Sequence, residues 1–186
     1  MPRYVNRAVL IGNPNVGKSV LFNALTGRSV MVSNYPGTTV TISRGRCTIG
    51  EDQIELIDTP GMYSFYSITE EERVARSVLF TETPSVVLNV ADARNLKRML
   101  PLTLQLIEAN LPLIFVLNMM DEAEAAGVDI DMQILREELG IPIVPTVATQ
   151  RSNIEGLRKS IADYLAPDFE EYEEKNATRV ESNAIS

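Results

Sequence analysis

The chain has 186 residues, 45% of them apolar, with a formal net charge of −8, one cysteine and no histidine. That size and apolar content suit one packed domain and exclude a disordered chain, while the residue types exclude disulfide frameworks, zinc sites and His-based triads or general bases. No cluster of Lys and Arg marks a nucleic-acid footprint, and the longest apolar stretch, Leu111 to Met120, is half of what a spanning helix needs.

In chain order, the first strand is read at Ala8–Ile11, a short apolar run. Gly12-Asn13-Pro14-Asn15-Val16-Gly17-Lys18-Ser19 follows and matches G-x-x-x-x-G-K-S, placed between a strand and an amphipathic helix as that motif requires. Backbone N–H groups from Asn13 and from Asn15 through Val20, with the helix N-terminus, are expected to converge on phosphate oxygens. Lys18 would set a cation against the β- and γ-phosphates, and the Ser19 hydroxyl would ligate Mg²⁺. The helix itself is expected over Lys18–Leu25, with Gly27 as its stop.

Arg28 to Thr41 carries turn residues and little periodicity, and reads as a mobile loop. One threonine hydroxyl in it, Thr38 or Thr39, would complete the Mg²⁺ shell when a γ-phosphate is present, making the loop an order/disorder switch. Strands at Thr41–Ile49 and Ile54–Ile57 follow with no helix between them. Gly50-Glu51-Asp52 joins them as a hairpin, so one edge strand is expected to run antiparallel.

Asp58-Thr59-Pro60-Gly61 is D-x-x-G: a carboxylate that approaches Mg²⁺ through water, and a Gly61 N–H offered to the γ-phosphate. A plain turn explains the same residues in isolation, and it is their place after the phosphate loop that points to nucleotide sensing. The next residue, Met62, can neither orient a water nor accept its proton. Glu70-Glu71-Glu72, at the start of a helix over Thr69–Phe80, reads as surface charge compensating the helix dipole rather than as an iron site.

Beyond it, strands at Val86–Val90, Leu113–Leu117 and Ile141–Pro145 alternate with helices at Lys97–Ala109, Met132–Leu139 and Ile154–Leu165. Six strands alternating largely with helices imply an α/β fold with a mostly parallel sheet covered on both faces. Asn118-Met119-Met120-Asp121 is N-x-x-D. Its Asp121 carboxylate can accept two hydrogen bonds from guanine N1–H and the 2-amino group, donors that adenine lacks, and a site left with an unpaired buried group rejects the wrong base by roughly 10⁴ to 10⁵. Asn118 would tie the far edge of the base to the phosphate loop, although capping of a following helix is the plain alternative. Val147-Ala148-Thr149 stands where a loop backbone would meet guanine O6. From Pro167 to Ser186, six acidic residues against two basic ones hold half of the net charge, and this stretch reads as a solvated extension.

The combination GNPNVGKSVLFNALTG, NYPGTTV, DTPGMYSF, NVADARNLKRMLPLTLQLIE, LNMMDEAE and IPIVPTVAT resembles the N-terminal cytoplasmic GTPase domain of the bacterial ferrous-iron transport protein B (FeoB) family, from about Arg7 to Leu165. Many GTPases share the phosphate-loop motifs, whereas NYPGTTV, PGMYSF and DARNLKRMLPLTLQL are more particular. The resemblance implies a P-loop GTPase (Ras-like) fold with a six-stranded, mostly parallel sheet and one antiparallel edge strand. It makes residues 1–166 the GTPase domain and 167–186 the start of a truncated helical or linker region.

By the same resemblance Thr39 is the switch threonine, Ala148 is the base-contacting loop residue, and Asn15, Lys18, Thr39 and Gly61 form the catalytic set. Mg²⁺ is expected at Ser19, Thr39 and Asp58. The resemblance further implies K⁺, held by Asn15 and the carbonyls of Ser33 and Tyr35, in place of the water-positioning glutamine that Met62 replaces; the family usually has tryptophan where Tyr35 stands. The expected partners are GTP, GDP and the membrane-embedded portion of the same transporter, with no nucleic acid and with homo-oligomerisation open. The implied whole is a slow, potassium-stimulated GTPase switch on the cytoplasmic side of a bacterial inner membrane, this fragment being soluble. The competing readings are a ribosome-assembly or tRNA-modification GTPase and a GTP-sensing module without turnover.

Overall fold

The computed structural model describes residues 6–27, 30–66 and 68–166; the acidic stretch after Ala166 lies outside them. Strand β1, Arg7–Ile11, shows how the fold is built. Ala8 and Leu10 point into one apolar cluster and Val9 and Ile11 into the other, the period of two that a strand imposes. Helices therefore have to cover both faces. Strands β5 (Val86–Asp92) and β6 (Leu113–Asn118) are buried at every position, as parallel strands inside such a sandwich are.

The sheet runs β2-β3-β4-β1-β5-β6-β7, with β2 at Val30–Asn34, β3 at Thr41–Ile49, β4 at Asp52–Asp58 and β7 at Ile143–Pro145. β1 lies parallel to both β4 and β5, and β6 is parallel to β5 and β7. Only β3 is reversed, as the hairpin at Gly50 requires, pairing antiparallel with β4 from Ser43↔Asp58 to Ile49↔Asp52.

Two expectations need correction. Among the described residues the sheet has seven strands rather than six, and the reversed strand is not at its edge, because β2 pairs outside it from Val30↔Gly45 to Asn34↔Thr41. β2 comes from the segment read as a mobile loop. Its residues after Val30 are all exposed, so no burial alternation marked it as a strand, and only backbone pairing along an open edge reveals it.

Among the described residues there are six α-helices: α1 (Lys18–Thr26), α2 (Glu70–Thr81), α3 (Leu96–Glu108), α4 (Met120–Ala125), α5 (Met132–Leu139) and α6 (Ile154–Leu165). Of these only α4 was unforeseen, being too short to show a helical period. Helix α2 starts on a capping box in which Thr69 accepts from Glu72 N–H while the Glu72 side chain accepts from Thr69 N–H. Helix α5 starts on Asp131 and stops at Gly140 with φ +64°. Among the described residues no helix is long and apolar enough to cross a membrane. Because β1, β4, β5 and β6 are parallel, the loops that leave their carboxyl ends share one edge of the sheet, and the sequence motifs sit on those loops.

Candidate functional site

The loop after β1 needs its glycines. Gly12 has φ +151° and a Cβ there would lie 2.1 Å from the Val90 carbonyl oxygen, while Gly17 has φ +89° and its Cβ would meet Asn118 Nδ2 at 2.4 Å. Asn15 is left-handed at φ +64°. Lys18 is 7% exposed and folds back over the loop, its Nζ donating to the carbonyls of Asn13 (3.1 Å) and Gly12 (3.3 Å). Burial lowers its pKa, and the Asp58 charge works against that shift.

Asp58 ends β4 across from the loop. Ser19 Oγ donates to its Oδ2 at 2.6 Å, whereas Oδ1 is buried with no hydrogen-bond partner. Burial raises the Asp58 pKa, opposed by the Ser19 hydrogen bond and the Lys18 charge. A buried carboxylate oxygen lacking a donor, beside a hydroxyl, is a hard-oxygen set that suits Mg²⁺. Among the described residues no three His, Cys, Asp or Glu side chains gather to cage a metal.

A cavity of about 540 Å³ opens here, with Asn15, Lys18, Ser19, Thr39, Asp58 and Gly61 on its walls. Local geometry separates the two threonines. Thr38 Oγ1 turns into its own loop, donating to Tyr35 O (3.0 Å) and accepting from Val40 N–H (3.2 Å), while Thr39 is exposed on the cavity wall. Ser33 and Tyr35 are not brought there. Ser33 sits in β2 opposite Ile42, and the Tyr35 carbonyl accepts from both Thr38 N–H and Thr38 Oγ1, its phenol pairing with Ser77 Oγ at 2.7 Å.

Met62 is fully buried, packed in the cluster of Val9, Ile11, Val40 and Val74. Its N–H donates to the Gly12 carbonyl at 3.0 Å, so the backbone is stitched to the phosphate loop while the side chain leaves for the core. Gly61 permits the approach: a Cβ there would be 2.7 Å from the Pro14 ring.

Sequence reasoning missed the groups that hold the next turn. Glu72, read as surface charge, is 6% exposed and accepts from the N–H groups of Ile68 (2.9 Å), Tyr63 (3.0 Å) and Thr69 (3.2 Å). The Ile68 and Tyr63 donors lower its pKa. The T-x-x-E spacing from Thr69 was the signal that could have found it. Gln105 Oε1, on α3, accepts from Phe65 N–H at 2.7 Å; no local pattern announces that contact.

At the other end of the site Asn118, 2% exposed, joins three segments. Its Nδ2 donates to the Val16 carbonyl (2.9 Å), and its Oδ1 accepts from Ala148 N–H (3.0 Å) and Thr146 Oγ1 (3.1 Å). Met119 is left-handed at φ +63° and Asp121 lies in the first turn of α4, its Oδ2 accepting from Gln150 Nε2 at 2.9 Å. Gln150, also missed, follows Thr149 in a short 3₁₀ turn, and Val147 is bridged to Ser152. Val20, next to Ser19 on α1, is 42% exposed. The structure thus gathers Lys18, Ser19, Asp58 and Gly61 at one end and Met119, Asp121 and Gln150 at the other, joined by Asn118.

Comparison with known proteins gives the chain's relatives. Residues 6–161 match the family model described as ferrous iron transport protein B. The chain is 42% identical over 163 residues to the Fe(2+) transporter FeoB of Salmonella typhimurium, and 41% identical over 161 residues to that of Escherichia coli K12; these alignments cover 86% and 84% of this chain and 21% of each relative. The chain therefore spans about a fifth of the length of the curated relatives it matches.

Among solved structures it is similar to the FeoB G-domain from Methanococcus jannaschii, with TM-score 0.76 and 38% identity over 87% of this chain and 97% of that one. It is also similar to the cytosolic domain of the T. maritima FeoB iron transporter in GDP form II, with TM-score 0.84 and 37% identity over 89% of this chain and 65% of that one. The fold is the P-loop GTPase fold of these domains.

Proposed function

The chain belongs to the ferrous iron transport protein B family, and we propose that its cavity binds GTP with Mg²⁺, hydrolyses it to GDP and phosphate, and serves as the nucleotide switch of a ferrous-iron transporter. The observation that carries this is the donorless, buried Asp58 Oδ1 beside Ser19 Oγ, on one cavity with Lys18, Thr39 and Gly61. Residues 1–166 are the GTPase domain in this reading. The membrane-embedded remainder would carry the iron.

Lys18 Nζ exchanges the carbonyls of Gly12 and Asn13 for β- and γ-phosphate oxygens, and backbone N–H groups of Asn13 and of Asn15 through Val20 hold the rest of the phosphate chain. Gly61 N–H donates to the γ-phosphate, and Thr39 closes over it. Asp121 and Asn118 read the guanine, with Met119 and the Val147–Thr149 backbone around it. Ser19, Thr39 and Asp58 would hold Mg²⁺, which would supply charge neutralisation on the phosphates.

Turnover is slow in this reading because the Met62 side chain is committed to the core and no group from that position orients the attacking water. Asn15 and the carbonyls of Ser33 and Tyr35 would hold K⁺, which would supply positive charge to the phosphates. For that, the segment from Val30 to Thr41 would have to close over the cavity and Tyr35 O give up its two Thr38 donors.

Titrating the chain with GDP, GTP and ATP in Mg²⁺ tests the assignment. Guanine nucleotides are expected to bind and ATP is not; equal affinity for ATP and GTP would contradict it.

A further inference from the structure

We propose that Arg94 is the positioning residue of the guanine-recognition segment, holding Met119 and the start of α4 in the conformation that presents Asp121; this rests on the GTP-binding reading above. β5 and β6 pair in register with Asp92 opposite Asn118, so the turn after β5 leaves the sheet beside N-x-x-D. The turn is built around the Asp92 carboxylate, 6% exposed. Asp92 Oδ1 accepts from Arg94 N–H (2.9 Å) and Nε (3.0 Å), and Oδ2 accepts from Arg94 Nη2 (2.9 Å) and Asn95 Nδ2 (2.9 Å). Such two-pronged pairing fixes the plane of a guanidinium as well as its position.

Fixed from behind, the guanidinium reaches forward to α4. Its Nη1 donates to Glu122 Oε2 and its Nη2 contacts Met119 Sδ at 3.3 Å. Both partners matter for the base. Glu122 is the neighbour of Asp121, and Met119 holds a left-handed φ of +63°, a backbone state that a non-glycine residue keeps only when its surroundings hold it. The Met119 methyl also lies 3.8 Å from where a Cβ on Gly17 would stand. The Met119 side chain thus spans from the phosphate loop to Arg94, and the direction in which α4 departs, carrying Asp121, is set at both ends of that span.

Arg94 lines no part of the phosphate cavity, so it acts on the base through Met119 and Glu122. Losing it should loosen base recognition in ground and transition states alike, which raises KM and leaves the chemical step alone. The test compares the unaltered chain with Arg94→Ala and Arg94→Lys, each first confirmed as folded by thermal melting. Lysine keeps the charge but has no fork to grip Asp92 while reaching Met119.

For both variants the expected result is about tenfold weaker binding of GTP and of GDP, a matching rise in KM, and kcat at saturation within about twofold. The preference for GDP over inosine diphosphate, which lacks the 2-amino group that Asp121 accepts, should also shrink, a change that loss of stability alone does not produce. Folded variants with unchanged affinity and unchanged preference, or with kcat lost and KM kept, would overturn the role. An unaltered chain that binds neither GTP nor GDP would overturn the underlying reading and this inference with it.

Discussion

Met62 stands at the position that raises the sharpest chemical question, and the fold turns its side chain away from the cavity and into the apolar core. Met62→Gln should therefore not create a water-positioning group. It should place an amide in an apolar core at a cost of about 1–3 kcal/mol, seen as a lower urea midpoint with no gain in GTP hydrolysis; a faster rate would mean that the side chain reaches the cavity. At the base end, Asp121→Asn should exchange guanine for xanthine preference, because an amide donor now faces the base where a carboxylate acceptor stood. Competition between GTP and xanthosine triphosphate checks it, and unchanged selectivity would refute the base assignment. Lys18, Ser19, Asp58 and Asn118 were legible because each belongs to a short contiguous motif whose spacing the chemistry dictates. Gln105, Gln150 and the Arg94 fork were not, since their partners come from other segments and no local spacing encodes such contacts.

Among the elements, the strand most exposed to misreading was β2, whose outward residues after Val30 carry no burial signal. By contrast β5 and β6, buried throughout, announced themselves as apolar runs, broken inside β5 only by Asn89. The junction of β3, β4 and the end of α2 is held by charge. Arg44 Nη2 pairs with Glu82 Oε1 and its Nη1 lies 3.6 Å from Glu55, while Arg7 Nε meets Glu55 at 3.1 Å and Glu82 at 3.6 Å. The Arg44 hydrogen bond lowers the Glu82 pKa below its ordinary 4.5. A carboxyl whose pKa is depressed on folding adds stability above its unfolded pKa and loses it as pH falls through the folded value. The thermal midpoint should accordingly hold steady above about pH 5 and drop below it. Arg44→Met should lower the neutral-pH stability by about 1 kcal/mol at most, these groups being part-exposed, and should blunt the acid drop. A variant whose midpoint falls just as steeply in acid would show that Glu82 does not contribute.

For the molecule as a whole, the alternation of strand and helix patterns was enough to give a mostly parallel sheet with its motif loops on one edge. The seven-strand count and the true edge required pairing that sequence does not display. In the proposed reading the motif loops at the strand carboxyl ends form a GTP switch in which a cation near Asn15 would replace the side chain that position 62 cannot supply. Asn15→Ala should then abolish potassium stimulation while keeping most nucleotide affinity, measured by hydrolysis and by titration with GDP; retained stimulation would reduce Asn15 to shaping its left-handed loop position. The most direct test is GTP hydrolysis by the unaltered chain with Mg²⁺ in KCl and in NaCl at equal ionic strength. Clearly faster turnover in KCl is the predicted result, and equal rates in the two salts would contradict it.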